Sequence, residues 1–425
     1  MWSLSHPVTY LKQCMNNRLT TSRIPSEKGR CLFLMLQYPD MERSRCLYTD
    51  LVEEFKRRGH KVSVVAPATP GQKTGCYSER GYNIVRVATP PLFSSSKYMK
   101  GLANVLLPYL YLRAVKYYLT SYCFDHIVIA TPPITLYSLV VRLKRRYGAK
   151  VYLILRDIFP QNAVDLGFIK KGGFLHRYFS SVEHRLYQVS NAIGCMSPAN
   201  IGFVERMYPK EFSQKLHLLP NWQKCLPYQT PSDGVLAKYG LKGKFVALFG
   251  GNLGPAQQIE NILDLARIHR DKEDVVFLII GKGSDRERII AARDKAGLTN
   301  VQIMKHIPKT EYKELAACCK LGIVSLNGHF TIPNIPSRTL GYWSVKLPVL
   351  AIVDKYTDIG PEFLNRHHAG DWCIVGDFDA YKRKFDRFYN DAVLRRTAGE
   401  NGYRALCSVY TVESTYETII KMLEV

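Results

Sequence analysis

The chain has 425 residues, 46% of them hydrophobic and 12% aromatic, which excludes a disordered protein and is too much chain for one ordinary core. Its 59 Lys and Arg against 36 Asp and Glu give a net charge of +23, shared unevenly: residues 1–220 hold 31 basic and 13 acidic residues, a surplus of 18, and residues 221–425 hold 28 and 23, a surplus of 5. The first half is therefore drawn to polyanions such as anionic lipid or phosphorylated substrate, while the diffuse spread of charge and the lack of a reader motif argue against nucleic acid.

Residues 1–29 have mixed polarity without the apolar stretch of a signal peptide and are expected to be an extension. From Arg30 short apolar runs alternate with amphipathic stretches, the pattern of a parallel sheet built from βαβ units. Strands are predicted at 30–37, 61–67, 83–89, 125–133, 150–160, 192–197 and 215–221, with a helix at 47–59 stopped by Gly59. Segment 98–119 mixes Lys100, Arg113 and Lys116, with Lys97 just before it, among Tyr98, Tyr109, Tyr111, Tyr117 and Tyr118. It reads either as a membrane-interface helix or as a domain helix with half-buried tyrosines. Pro227, Pro231, Ser232, Asp233 and Gly234 mark a linker over 222–243. The alternation restarts with strands at 245–251, 275–283, 301–307, 321–327 and 347–353, and a helix from about Ala256 to His269. The expected organisation is α/β, two Rossmann-like domains at 30–221 and 244–410, with a closing helix at 411–425 that packs back on the first domain. Ligands of such sheets bind beyond the strands' carboxyl ends, here the cleft between the domains.

No run reaches the roughly 18 uncharged apolar residues of a membrane span; His126–Val141 and Leu102–Leu112 come nearest and are broken by prolines. The 11 cysteines lack CxxC spacing and are expected to be reduced core thiols of a cytosolic protein. Metal-protease, P-loop, nucleophile-elbow and zinc spacings do not occur.

Three strand-to-helix junctions of the second half carry the candidate chemistry. Phe249-Gly250-Gly251-Asn252-Leu253-Gly254 lets backbone approach a phosphate, or is a tight turn whose glycines serve geometry alone. Gly281-Lys282-Gly283-Ser284 puts a lysine at the next strand end, a counter-ion for a diphosphate or a solvated loop side chain. Pro336-Ser337-Arg338 opens a helix of about two turns, where Ser337 is either a cap for the amides of Thr339 or Leu340 or a ligand for the same anion. In the first half Arg156-Asp157 ends a strand and either faces the cleft or forms a local salt bridge, and Thr131-Pro132-Pro133 ends its neighbour.

The segments FDHIVIATPPIT, LRDIFPQNAVDLG, LPNW, FGGNLGPAQQIENI, IIGKGSDRERI, HIPKTEYKELAACCKLGIVSL and IPSRTLGYWSVKLPVLA, in this order, resemble the bacterial group 1 (family 4-like) retaining glycosyltransferases of GT-B fold. The likeness is strongest to the surface-polysaccharide branch that includes N-acetylfucosaminyl transferases, and runs from about Arg30 to the C-terminus. It implies a glycosyltransferase that moves a sugar from a nucleotide diphosphate sugar, a UDP-sugar first, to a polyprenyl-diphosphate-linked or saccharide acceptor. It implies no cofactor and no metal. Carried over by position, Gly250, Gly251, Asn252, Gly254, Gln257, His306, Ile307 and Ser337 bind the donor, and Arg338 and Lys282, with Asp157 on the acceptor side, are the catalytic candidates. The expected location is cytoplasmic, on the inner face of the plasma membrane, with the basic first domain touching lipid.

Three departures accompany the likeness. Many relatives have Arg and Lys where Asn252 and Gln257 stand, although the branch this chain is most similar to resembles the Asn and Gln version. Relatives often have Glu at Gly341, against the donor ribose, and a second Glu at Pro333. The Gly-Gly turn usual after the first strand is replaced by YPDMERSR. These raise an alternative reading, a catalytically weak GT-B protein acting as a membrane-associated assembly component.

Overall fold

A computed structural model describes residues 28–92, 97–231 and 234–424, with only the backbone for Lys97, Tyr98 and Lys100. Most of the expected extension, linker residues Ser232 and Asp233, and the side chains of Lys97, Tyr98 and Lys100 therefore lie outside the described residues.

The apolar runs of the first half form strands β1 (Lys28–Leu34), β2 (His60–Pro67), β3 (Gly75–Glu79), β4 (Tyr82–Val87), β5 (His126–Ala130), β6 (Lys150–Leu155), β7 (Ala192–Cys195) and β8 (Leu216–Leu218). They make one sheet in the order β3-β4-β2-β1-β5-β6-β7-β8, parallel except for the β3–β4 hairpin. The second half gives β9 (Phe245–Asn252), β10 (Val275–Lys282), β11 (Val301–Met304), β12 (Leu321–Ser325), β13 (Val349–Val353) and β14 (Gly370–Ile374), all parallel in the order β11-β10-β9-β12-β13-β14. Strands covered on both faces need unbroken apolar runs, and RCLFLML and KFVALF supply them: Leu32, Phe33, Leu34, Val246 and Leu248 are all fully buried. Each such side chain stabilises the fold by about 1.5–3 kcal/mol.

Strand order reverses between β1 and β5 in one sheet and between β9 and β12 in the other. Each reversal leaves a crevice at the strands' carboxyl ends, where adjacent crossover connections leave in opposite directions.

Two segments tie the halves together. The helix Val412–Glu424 lays Val412, Tyr416, Ile419 and Leu423 into the core of the first sheet beside Phe33 and Phe55. The loop after β12 reaches the other way: Phe330 and Ile332 enter the first half's second core cluster. Asp165 accepts from the Thr331 amide at 2.7 Å, Asn200 donates to the Pro333 carbonyl at 2.8 Å, and Asn221 donates to the Ile335 carbonyl at 2.7 Å.

Some expectations change. β3 was missed because GCYSE has no apolar alternation; it is an edge strand joined to β4 by Arg80 and Gly81, both at positive φ (47° and 75°). β14 was missed as a short edge strand with polar flanks. The helix expected at 256–269 is a 3-10 turn, Pro255–Gln257, followed by a helix at Glu260–Ile268, because Gln258 takes a left-handed φ of 39° and interrupts it. The cysteines are not all reduced. Cys225 of the linker is disulfide-bonded to Cys407, with Cα atoms 5.2 Å apart, since the linker runs back along the helix Ala392–Ser408 and the Tyr403 hydroxyl donates to the Leu226 carbonyl.

Candidate active site

The two crevices face each other across a cleft of about 590 Å³. One wall, from the first half, carries Gln37, Tyr48, Thr131, Arg156, Asp157 and Asn162; the other carries Gly250, Gly251, Gln257, Ser337 and Arg338. The loop after β12 closes one end with Phe330 and Asn334.

Arg338 is the first residue of the helix Arg338–Trp343. Its guanidinium lies over the Phe249 ring, 4.3 Å from the centroid, and against Gly251, where an added Cβ would come within 3.0 Å of Nη2. Gly251 itself has φ +148°, a conformation that side-chain-bearing residues avoid. Arg338 Nη1 is buried without a hydrogen-bond partner. Burial pulls the guanidinium below its ordinary proton affinity, with the tyrosines Tyr342 and Tyr312 acting in the opposite sense. A desolvated cation without an acid partner is costly, so this atom is set up to meet an anion from outside the chain.

One helical turn on, Tyr342 fixes the backbone that faces Arg338. Its hydroxyl accepts from the Gly250 amide at 3.1 Å and lies 3.1 Å from the Leu248 and Ile323 carbonyls, tying β9 to β12. Gly250 must be glycine because Tyr312 lies where a Cβ would go. Tyr312 and Tyr342 were not singled out in the sequence; the signal for Tyr342 was its i,i+4 spacing from Arg338.

The other junctions differ from expectation. Ser337 makes no side-chain capping bond, and the amides of Thr339 and Leu340 donate to the carbonyls of Pro336 and Ser337. The Ser337 hydroxyl is thus left to the cleft, and those amides are not. The helix has six residues rather than two full turns. Gly281 and Gly283 serve packing, since a Cβ on either would run into the Gly251 or Leu253 carbonyl. Lys282 is exposed at the end of β10, paired in register with Asn252, and does not line the cleft. Asn252 donates to Gln257 Oε1 at 3.1 Å, so the two residues that replace a basic pair bind each other. Gly254 is buried beside Asn252. His306 is exposed beyond edge strand β11, and Ile307 packs on the core beneath it; neither lines the cleft.

Across the cleft, the amides of Arg156 and Asp157 both donate to Thr131 Oγ1, at 2.9 and 3.3 Å, which ties the end of β6 to the end of β5. Of the two readings for this pair, the cleft-facing one holds: both residues line the cleft. Burial pushes the Asp157 carboxyl above its usual range, and Arg156 pulls it partly back. Pro333, where relatives often carry an acid, is buried, its carbonyl accepting from Asn200 of the first half. Gly341 has no heavy atom within 4 Å of where a Cβ would stand.

Comparison with known proteins fits this geometry. Residues 236–405 match the family described as glycosyl transferases group 1, and residues 48–222 match the glycosyl transferase 4-like domain. The chain is a glycosyltransferase of GT-B fold, its second half similar to the group 1 family and its first half to the 4-like domain. It is 24% identical over 320 residues to the probable glycosyltransferase WbjE of Pseudomonas aeruginosa, covering 73% of this chain and 76% of that one. It is 24% identical over 231 residues to the putative colanic acid biosynthesis glycosyl transferase WcaI of Escherichia coli K12, covering 51% and 54%. Among solved structures, Anabaena HepE in complex with UDP-glucose superposes with a TM-score of 0.68 at 14% identity, over 93% of this chain and all of that one (100%).

Proposed function

We propose that this glycosyltransferase moves a sugar, with retention, from a nucleoside diphosphate sugar, UDP being the first nucleotide to test, to a saccharide or polyprenyl-diphosphate-linked acceptor of surface-polysaccharide assembly. The carrying observation is the Arg338 guanidinium, buried without a partner against the Gly250–Gly251 turn. Breaking a glycosyl–phosphate bond builds charge on the departing diphosphate, and a fixed cation in a closed cleft stabilises it. Ser337 adds a hydroxyl, and Lys282 a screened charge from the rim. Asp157 holds the acceptor hydroxyl, its raised proton affinity suiting it to take the proton as the new bond forms. Support for the nucleotide comes from HepE, whose complex holds UDP-glucose, and support for the pathway from WcaI.

Peripheral contact with the membrane, on the cytoplasmic side, belongs to the same proposal. No helix among the described residues is long and apolar enough to cross a membrane. The helix Lys97–Tyr118 buries Tyr111, whose hydroxyl donates to the Met35 carbonyl, but exposes Leu102, Val105, Tyr109 and Tyr117. Phe174 (83% exposed), Leu175 and Tyr178 stand out at the start of the helix Phe174–Val189, close in sequence to Lys170, Lys171 and Arg177. Apolar side chains rimmed by basic ones suit an anionic lipid surface. The open space at Gly341 favours a second reading, a weak donor grip in an assembly role. A donor screen with a membrane fraction as acceptor, read by mass spectrometry, tests the first: a product from one nucleotide sugar supports it, and neither binding nor transfer with any donor supports the second.

A further inference from the structure

The cleft holds a second cation with an unpartnered nitrogen, on the wall opposite the donor candidate. Arg156 lines the wall opposite Arg338, and its Nη1 is also buried without a hydrogen-bond partner. Among the described residues Arg156 has no ion-pair partner. The acids nearby are otherwise engaged or held back. Asp165 accepts from the Thr331 amide and hydroxyl and from Gln161. Asp157 makes no ion pair with its neighbour; burial pushes its carboxyl above its usual range and Arg156 pulls it partly back. The remaining polar groups on this wall, Gln37, Tyr48, Thr131 and Asn162, are neutral. The Arg156 backbone is held by Thr131 Oγ1, so the guanidinium projects from an anchored strand end.

A guanidinium that lines a cleft with a buried, unpartnered nitrogen is completed by a ligand anion. A single diphosphate seated against Gly251 and Arg338 satisfies one wall and leaves the other. We propose that Arg156 is an acceptor-binding residue, taking a phosphate or carboxylate oxygen carried by the acceptor substrate. This rests on the reading of the opposite wall as the donor site. The shared chemistry has two sources, the phosphate of a lipid-linked acceptor and the carboxylate of an acidic sugar. In either case Asp157, next in the chain, sits beside the acceptor group that the anion anchors.

The test is calorimetry on the full chain, with and without saturating UDP, using farnesyl diphosphate, methyl glucuronide and neutral methyl glucoside as probes. The expected result is that one of the two anionic probes binds with UDP present, and that Arg156→Gln weakens it by about tenfold or more. UDP affinity should stay within about twofold, and Arg156→Lys should restore part of the loss. Farnesyl diphosphate as the binder identifies a phosphate acceptor; methyl glucuronide identifies an acidic sugar. The proposal is overturned if neither anion binds the wild type, if Arg156→Gln leaves anion binding unchanged, or if it weakens UDP instead. Failure of UDP to bind while an anion still depends on Arg156 would overturn the donor reading and spare this one. The melting temperature of Arg156→Gln should match or exceed the wild type; if this variant does not fold, Arg156→Lys carries the comparison.

Discussion

Replacing Arg338 with Gln separates what the residue does for the fold from what it does for the ligand. In the free protein the guanidinium has a partnerless nitrogen and a ring contact with Phe249. Loss of the ring contact costs about 1 kcal/mol, and relief from holding a desolvated charge offsets a similar amount. The melting temperature should therefore change little. With a diphosphate bound, the same change removes a charge-assisted hydrogen bond from a closed site, worth about 3 kcal/mol, or roughly a hundredfold in affinity. Calorimetric titration with UDP measures this directly, and transfer kinetics should fall by at least the same factor because the charge to be stabilised grows in the transition state. A folded Arg338→Gln variant whose UDP affinity stays within about threefold of wild type would refute the reasoning.

Lys282→Ala should act in the same direction but cost less than about tenfold in transfer, because the side chain is exposed and its charge screened; a loss equal to that of Arg338→Gln would move the diphosphate toward the rim. Gly341→Glu has room for its side chain and should tighten donor binding with little change in melting temperature; unchanged binding would weaken the assignment of this wall. Glu183, buried in the first half with the Tyr187 and Tyr208 hydroxyls donating to it, is pushed up to about 7 by desolvation. It binds its proton more tightly folded than unfolded, so its contribution is full below the unfolded value near pH 4.5 and is lost as pH rises through about 7, some 3 kcal/mol in all. Glu183→Gln should remove that decline in denaturant titrations between pH 5 and pH 8, and an identical slope would contradict it. Replacing Phe174, Leu175 and Tyr178 together by Ser should reduce co-sedimentation with phosphatidylglycerol vesicles several-fold without altering UDP binding; equal sedimentation would remove this patch from the membrane contact.

The parallel strands and the reversal points they create were readable because apolar runs between turn residues have few other solutions. Edge strands β3 and β14 were not, since half their surface meets solvent and their composition resembles a loop. At the site, Arg338 stood out as a lone cation at a strand-to-helix junction. The glycines did not resolve the same way: the sequence does not distinguish Gly251, facing Arg338, from Gly281 and Gly283, which admit a neighbouring backbone. Nor does it reveal that Asn252 and Gln257 bond to each other, or that Tyr342 holds the Gly250 turn, because these depend on contacts between β9, the turn after it and a helix about 90 residues further on. The Cys225–Cys407 bridge joins residues 182 apart, a pairing set by the course of the linker and not by any local spacing.

The most direct measurement is a crystal structure with UDP bound. The diphosphate should lie against the Gly250–Gly251 turn with an oxygen within hydrogen-bond reach of the Arg338 guanidinium and the Ser337 hydroxyl. UDP seated elsewhere, with Arg338 Nη1 still lacking a partner, would contradict the account.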